Sequence, residues 1–430
     1  MNYDAVVVGG GFAGVTAARE LTNRGLRTIL LEARDRLGGR TWTTEFAGGT
    51  VEMGGAWIHW TQPHVWAEVT RYGLPVVKDD FAFDAALFGT TARRHAPDEA
   101  FAKVHEVFSR FASADHATLP SPHDPLQAMS ALRERDLLSM EDRLNEMAMP
   151  QADREWISGL LYSVAGSPLN EAALTFIMRW LALDDFDIDR YFKELQVRPA
   201  DGTIAIINAM LSDESVDVRL STPVTAVDVL GDGVCVTTGG GEQLTARVGV
   251  IAVPVNVWPT IAFNPPLPQS HRKASAEGMG KPHMDKVFIH ARGNIGRVFA
   301  QLPAPEPLNV FFTLQYDGQE QIIVGINSNP SLDVNDKEQV AATIKRHVPE
   351  IEEVLDVRAH AWAADPYSRG GNTCFRPGQL TRYLPDLLRP VGRLAFAGAD
   401  LATGFVGNMD GAIESGMRAA RLVCDGRLGR

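Results

Sequence analysis

The chain has 430 residues, with 41 Lys and Arg against 53 Asp and Glu, a net charge of −12. That length exceeds a small binding module and suits two interleaved domains or one large enzyme fold. A hydrophobic content of 45% with 22% charged residues excludes wholesale disorder, and an acidic balance without a Lys/Arg block speaks against a nucleic-acid partner.

In chain order, Met1-Asn2-Tyr3-Asp4 lacks the basic start of a secretory signal. No apolar run reaches the roughly 18 residues of a membrane span, so the expected location is the cytoplasm, with no membrane partner. Residues 5–8 form an apolar strand that ends in Gly9-Gly10-Gly11-Phe12-Ala13-Gly14. A helix over 15–24 and a second strand over 27–31, closed by Glu32, complete a βαβ unit of about 30 residues. From 93 to 193 the texture is helical, with helices predicted over 98–111, 125–138, 140–149 and 153–183. The last is apolar nearly all round and so expected to be buried. From 216 to 253 the pattern turns to β, and 224–229 and 234–236 flank a Gly-Asp-Gly hairpin turn. Strands follow over 286–292 and 308–326, a helix over 337–347, a strand over 393–397 and a helix over 411–424. Cys235, Cys374 and Cys424 are far apart and form no Cys-x-x-Cys pair, so neither a disulfide framework nor a zinc site is expected.

The glycine turn carries the first chemistry. Gly9 permits a tight turn, Gly11 lets the backbone approach a pyrophosphate, and Gly14 lets helix pack closely on strand, with free N–H groups facing the anion. Glu32, at the end of the second strand, can accept two ribose hydroxyls. The set predicts dinucleotide binding. In Ala33-Arg34-Asp35-Arg36-Leu37-Gly38-Gly39-Arg40, Arg34 and Arg40 stand where fixed cations can neutralise a pyrophosphate, and the glycine pair allows close backbone approach. Asp35 and Arg36 read as a solvated, charged loop.

With these residues in view the sequence resembles the flavin monoamine oxidase family. The runs 31–43 (LEARDRLGGRTWT), 52–57 (EMGGAW), 396–400 (FAGAD) and 407–416 (GNMDGAIESG) match its flavin motifs, and 365–371 and 375–378 fit a loop beside the flavin. The likeness spans essentially the whole chain, and the 54–59 segment is similar to a 6-hydroxynicotine-oxidase-like bacterial branch. The resemblance implies FAD as cofactor and a set of roles by position. Glu32, Ala33 and Val224 would hold the adenosine end. Ala13, Gly14, Arg34, Gly39 and Arg40 would hold the pyrophosphate. Gly55, Ala56 and Trp57 would run along the flavin edge, with Trp362 near the ring. Asp400 would accept from the ribityl chain, and the Met409 N–H, following Asn408, would face the flavin C2 carbonyl. Lys286 would be the lysine near flavin N5, rather than a strand-end lysine reaching solvent. His59 and His64 read as ordinary structural histidines.

Two departures from the pattern matter. The position of the cysteine that anchors FAD in many members is Gly371 here, and Cys374 comes three residues too late, so noncovalent FAD is expected. The two aromatic rings that often wall the amine site fall on Asn372 and Asn408, which suggests a more polar amine, unless Trp57, Tyr162 or Phe405 supplies the wall from elsewhere. The expected fold is α/β: a discontinuous Rossmann-type FAD domain (1–75, 200–282, 388–430) and a mixed α+β substrate domain (76–199, 283–387). The expected reaction is hydride loss from the carbon next to an amine nitrogen, with O2 as acceptor and H2O2 as product. An amino-acid or amide oxidase, with Arg369 as its one nearby cation, and a cyclase that captures the imine intramolecularly are the rival readings. The oligomer, a homodimer included, is left open.

Overall fold

The computed structural model describes residues 1–113, 118–193, 196–212, 216–279 and 283–428. The Tyr3–Val8 strand is buried from Ala5 to Val8; Thr28–Leu31 and Gln243–Ile251 pair in parallel with its two edges, and a central parallel strand of this kind reads as an apolar run. The full sheet has eight strands. Its order is Ala262–Asn264, Val224–Val229, Val234–Thr238, Gln243–Ile251, Tyr3–Val8, Thr28–Leu31 and Asp217–Arg219, with Leu394–Phe396 also pairing with Gln243–Ile251. Helix Phe12–Thr22 packs against the C-terminal helix Met409–Cys424, so the two chain ends meet beside the glycine turn.

A second, seven-stranded sheet runs Glu353–Ala359, Asp285–Arg292, Glu320–Asn327, Val310–Tyr316, Val298–Gln301, Ala85–Phe88 and Arg93–His95. Helices Pro97–Ser113 and Gln151–Ala165 pack on it. The first sheet therefore draws on residues before 31, 217–264 and 394–396, and the second on 85–95 and 285–359. The expected junction between residues 282 and 283 falls partly outside the described residues.

The predicted helix over 153–183 is two helices, Gln151–Ala165 and Leu174–Leu183. Gly166 adopts a left-handed conformation (φ 58°) and returns its N–H to the Tyr162 carbonyl, a glycine cap that ends the helix. Pro168 follows and cannot continue it. The segment 308–326 is a hairpin, Val310–Tyr316 with Glu320–Asn327, turning at Gly318. The segment 125–138 is a 3₁₀ turn, Pro125–Ala128, followed by a short helix, Met129–Arg135. The hairpin over 224–238 and the helix Lys337–His347 form as the sequence predicts.

Candidate active site

The strand Tyr3–Val8 delivers the chain into Gly9, whose φ of 107° suits glycine. A Cβ on Gly14 would lie 1.8 Å from the Gly9 carbonyl oxygen, so the protein's own packing demands glycine there. Gly11 differs. Its φ of −78° suits any residue, and a Cβ would meet nothing nearer than Gly39 Cα at 3.7 Å. The backbones of Gly11 and Gly39 thus lie against one another at the start of helix Phe12–Thr22, with Gly11 bridged to Gly38, and the uncapped N–H groups there mark the expected cofactor groove. No side chain caps that helix, and Ala13 is buried in its first turn.

Glu32 is buried at one end of the groove. Its Oε2 accepts the Gly10 N–H at 2.6 Å and its Oε1 the Arg34 N–H at 2.8 Å. The Ser221 and Thr222 N–H groups bond the carbonyls of Arg34 and Glu32, which lays the approach to Val224 alongside Glu32, Ala33 and Arg34. Two expectations change here. The Arg34 guanidinium turns to Asp365 Oδ1 (2.6 Å) and Ser368 Oγ (2.9 Å) and lies over Tyr367. It braces the 365–368 loop instead of standing free for a phosphate. Arg36, read as solvated, donates to the carbonyls of Leu37, Gly39 and Thr41 and lies 4.8 Å from the Trp42 ring centre. Burial, with Arg34 nearby, lowers its pKa to about 10. Asp35 is exposed as expected.

Arg40 reaches Asp400 Oδ1 at 2.7 Å. Asp400 is buried; Thr373 Oγ1 also donates to Oδ1, and the Val255 N–H donates to Oδ2 at 3.0 Å. Burial opposes its charge, but Arg40 and these donors hold its pKa below the ordinary carboxylate value. Just beyond it, helix Met409–Cys424 starts at Asn408 with no side-chain cap, leaving N–H groups at a positive helix end. Asn372 Oδ1 accepts the Thr373 N–H at 2.7 Å and lies 2.7 Å from where a Gly407 Cβ would stand. The stretches carrying Asn372 and Asn408 are therefore adjacent, and both asparagines are half-buried.

Lys286 lies on Asp285–Arg292, a strand buried over most of its length, and is itself 7% exposed. Its Nζ donates to the Gly54 carbonyl at 2.7 Å and sits 4.5 Å from the Trp57 ring centre. Burial lowers its pKa to about 8, against the opposing pull of Glu52 and Asp79. Trp362 is fixed at both ends: its N–H binds Asp285 Oδ1 and its indole Nε1 binds the Met53 carbonyl. Its ring abuts Gly54. Gly55 is exposed, Ala56 buried, and Trp57 half-buried with its indole N–H on Asp79. Trp57, Lys286, Phe288 and Leu314 line a small cleft with Asp79 and Arg198.

Tyr162 is buried, and its hydroxyl donates to the Ser328 carbonyl at 2.9 Å, which ties a helix to the second sheet. His64 pairs with Asp410, which raises its pKa, while burial lowers that of His59 to about 4. Sequence reasoning missed Asp79, Arg198 and Thr373. Asp79 and Arg198 sit in polar stretches without periodicity, and the partners that give them a place lie far away in the chain. Among the described residues no cluster of His, Cys, Asp or Glu could hold a metal ion, and no helix is long and apolar enough to cross a membrane.

These groups fit FAD. Buried Glu32, the uncapped start of helix Phe12–Thr22, the Arg40–Asp400 pair and the uncapped start of helix Met409–Cys424 supply groups for its ribose, pyrophosphate, ribityl and ring ends, and Lys286 and Trp362 both meet Gly54. The fold and site thus define a flavin-dependent oxidoreductase. The family model described as flavin containing amine oxidoreductase matches residues 12–424. The chain is 40% identical to nicotine dehydrogenase of Pseudomonas putida, over 98% of this chain and 88% of that protein. It is 32% identical to (S)-6-hydroxynicotine oxidase of Paenarthrobacter nicotinovorans, over 98% and 99%. The structure of cyclohexylamine oxidase from Brevibacterium oxydans shares the fold with a TM-score of 0.80 at 20% identity, covering 99% of this chain and all of that one. The chain belongs to the flavin-containing amine oxidoreductase family and is an FAD-dependent enzyme that oxidises amines.

Proposed function

We propose that the protein is an oxidase for a polar amine of the nicotine type, a cyclic or secondary amine carrying a heteroaromatic or carbonyl group, and that it works in the cytoplasm. When bound, FAD would supply the acceptor for the hydride on the carbon next to nitrogen and the route of the two electrons to O2, so that the amine would leave as an imine, hydrolysed by water, and O2 as H2O2. The protein's work is placement and electrostatics. Glu32, Gly11, Gly39 and Arg40 hold the nucleotide and pyrophosphate, Asp400 the ribityl chain, and the Met409 N–H favours negative charge at the far end of the ring system. With a pKa near 8, Lys286 can hold or release a proton at Nζ around neutral pH. Asn372 and Asn408 offer amide donors and acceptors where π faces would suit a plain arylalkylamine.

The observation that carries this reading is the buried Lys286 on the Gly54 carbonyl beside Trp57, within a chain whose relatives are named for nicotine and 6-hydroxynicotine. We further infer noncovalent FAD. A side chain at 371 would place its Cβ 2.2 Å from the Met284 carbonyl oxygen, and Cys374 is 2% exposed with burial pushing its thiol up to about 12. The amino-acid alternative loses its cation, since Arg369 is exposed. The test is flavin reduction and peroxide release over a panel of nicotine-type amines, arylalkylamines, amino acids and amides. One relative is named a dehydrogenase and another an oxidase. Flavin reoxidation is therefore followed both with O2 and with a one-electron protein acceptor. Reduction by amino acids alone would reject the reading.

A further inference from the structure

A chain of contacts leads away from Lys286 to residues that the cofactor motifs do not include. Strand Val76–Lys78 pairs antiparallel with Val197–Pro199, and the Asp79 N–H continues the ladder to the Gln196 carbonyl. This short ribbon brings Arg198 beside Asp79, whose side chain is 6% exposed. Arg198 Nε donates to Asp79 Oδ1 at 2.9 Å, and the Trp57 indole N–H donates to Oδ2 at 2.9 Å. Lys286 Nζ stands 4.5 Å from the centre of the same indole and donates to Gly54, three residues before Trp57. Two other segments, those of Asp79 and Lys286, thus meet at the Trp57 ring, and Arg198 joins through Asp79. A nearly buried carboxylate with a partner on each oxygen is costly unless both are in place, so the geometry of each holds the others. An anion accepting from the indole N–H also pushes electron density toward the ring, which strengthens its hold on a cation.

We propose that Asp79, clamped by Arg198, is a positioning residue that fixes the Trp57 indole and through it holds the Lys286 amino group at the Gly54 carbonyl. The proposal rests on reading Lys286 as the reactive lysine of the flavin site. The charged groups facing Lys286 are Glu52 and Asp79, which favour its ammonium form, and Arg198, which disfavours it; burial is the largest influence and lowers its pKa. Removing the charge of Asp79 therefore lowers the titration of Lys286 further, whereas removing its hydrogen bond also frees Trp57.

The test uses holoenzyme of wild type, Asp79→Asn, Asp79→Ala, Trp57→Phe and the Trp57→Phe/Asp79→Ala double variant. Competitive acetylation with peptide mass spectrometry reads the titration of Lys286 without substrate, and anaerobic stopped flow reads flavin reduction. The expected result is a Lys286 titration below the wild-type value in Asp79→Asn. Flavin reduction in Asp79→Ala should be about tenfold to a hundredfold slower, the scale of a small misplacement. The double variant should be no slower than Trp57→Phe alone, because Asp79 acts through the indole. An unchanged Lys286 titration in Asp79→Asn, or losses that multiply in the double variant, would overturn the proposal. If no amine reduced even the wild-type flavin, the functional reading would fail instead. The positioning role would still be decided by Lys286 acetylation in Trp57→Phe, which keeps the Asp79 charge but loses the indole: it should differ from wild type, and no difference would overturn the proposal.

Discussion

Gly11→Ala and Gly14→Ala separate what the fold needs from what the cofactor needs. At Gly14 the new methyl would lie 1.8 Å from the Gly9 carbonyl oxygen, so strand and helix must part. A backbone shift of that kind costs about 1–3 kcal/mol or more and should lower the melting temperature of the apoprotein. At Gly11 the nearest atom is 3.7 Å away and φ is −78°, which alanine accepts. Loss of a glycine N-cap costs roughly 0.5–1 kcal/mol, and the reduced freedom of the unfolded chain returns about 0.4–1 kcal/mol, so apoprotein stability should barely change. The methyl instead stands at the helix start and pushes a pyrophosphate off the helix N–H groups. Losing one hydrogen bond to a charged group costs about 1.5–3 kcal/mol, which weakens FAD binding by roughly tenfold to 150-fold. Thermal melts of the apoproteins and fluorescence titration with FAD give both numbers. If Gly11→Ala binds FAD as tightly as wild type, or melts as early as Gly14→Ala, the groove is not the pyrophosphate site.

Acid precipitation should release all the flavin into the supernatant, and yellow protein in the washed pellet would contradict noncovalent attachment. Lys286→Met should retain FAD but slow flavin reduction or reoxidation, with at least one half-reaction changed in stopped-flow traces. The apoprotein should show a matching pH effect. Lys286 titrates near 8 in the fold against an ordinary 10.5. The unfolded chain therefore binds the extra proton between these values, and stability gains from this group as pH rises through that window. Wild type should gain on Lys286→Met from about pH 8 to 10.5 in denaturant titrations, and parallel profiles would place the lysine in solvent. Asn372→Ala and Asn408→Ala should each lower kcat/KM on a nicotine-type amine by about 1–3 kcal/mol, roughly fivefold to over a hundredfold. Asn408→Tyr should raise kcat/KM on benzylic amines. Ratios all within twofold would mean that the asparagines do not face the substrate.

The glycine turn, the acid at Glu32 and the strands around them were legible because their physics is local: a few φ angles, a helix end and an apolar period. Asp400 and Met409 were legible only through resemblance, since the partners that make them a site, Arg40 and Thr373, are distant in sequence. Arg34 and Arg36 show where local reading fails. Both are charges in one loop, and each is engaged by a partner that the local sequence does not reveal. Arg34 is captured by Asp365, more than 300 residues away, and Arg36 by carbonyls that only the folded turn presents. The bond of the Tyr162 hydroxyl was equally hidden, because its partner, the Ser328 carbonyl, carries no side-chain signature. The break at Gly166 was readable from Gly-Ser-Pro but was masked by the strong apolar pattern on both sides. Asp79 and Arg198 meet through a ribbon of only three residues per strand, too short to show a period.

The central claim is that FAD held in the Gly11–Arg40–Asp400 groove takes electrons from an amine beside Lys286. Anaerobic mixing of the holoenzyme with a nicotine-type amine, followed through the visible flavin absorbance, tests it most directly. The account predicts full bleaching in wild type, stoichiometric imine or carbonyl product, and a bleaching rate that rises with pH as the amine becomes neutral. A flavin that stays oxidised with every amine, while amino acids or amides bleach it, would contradict the account.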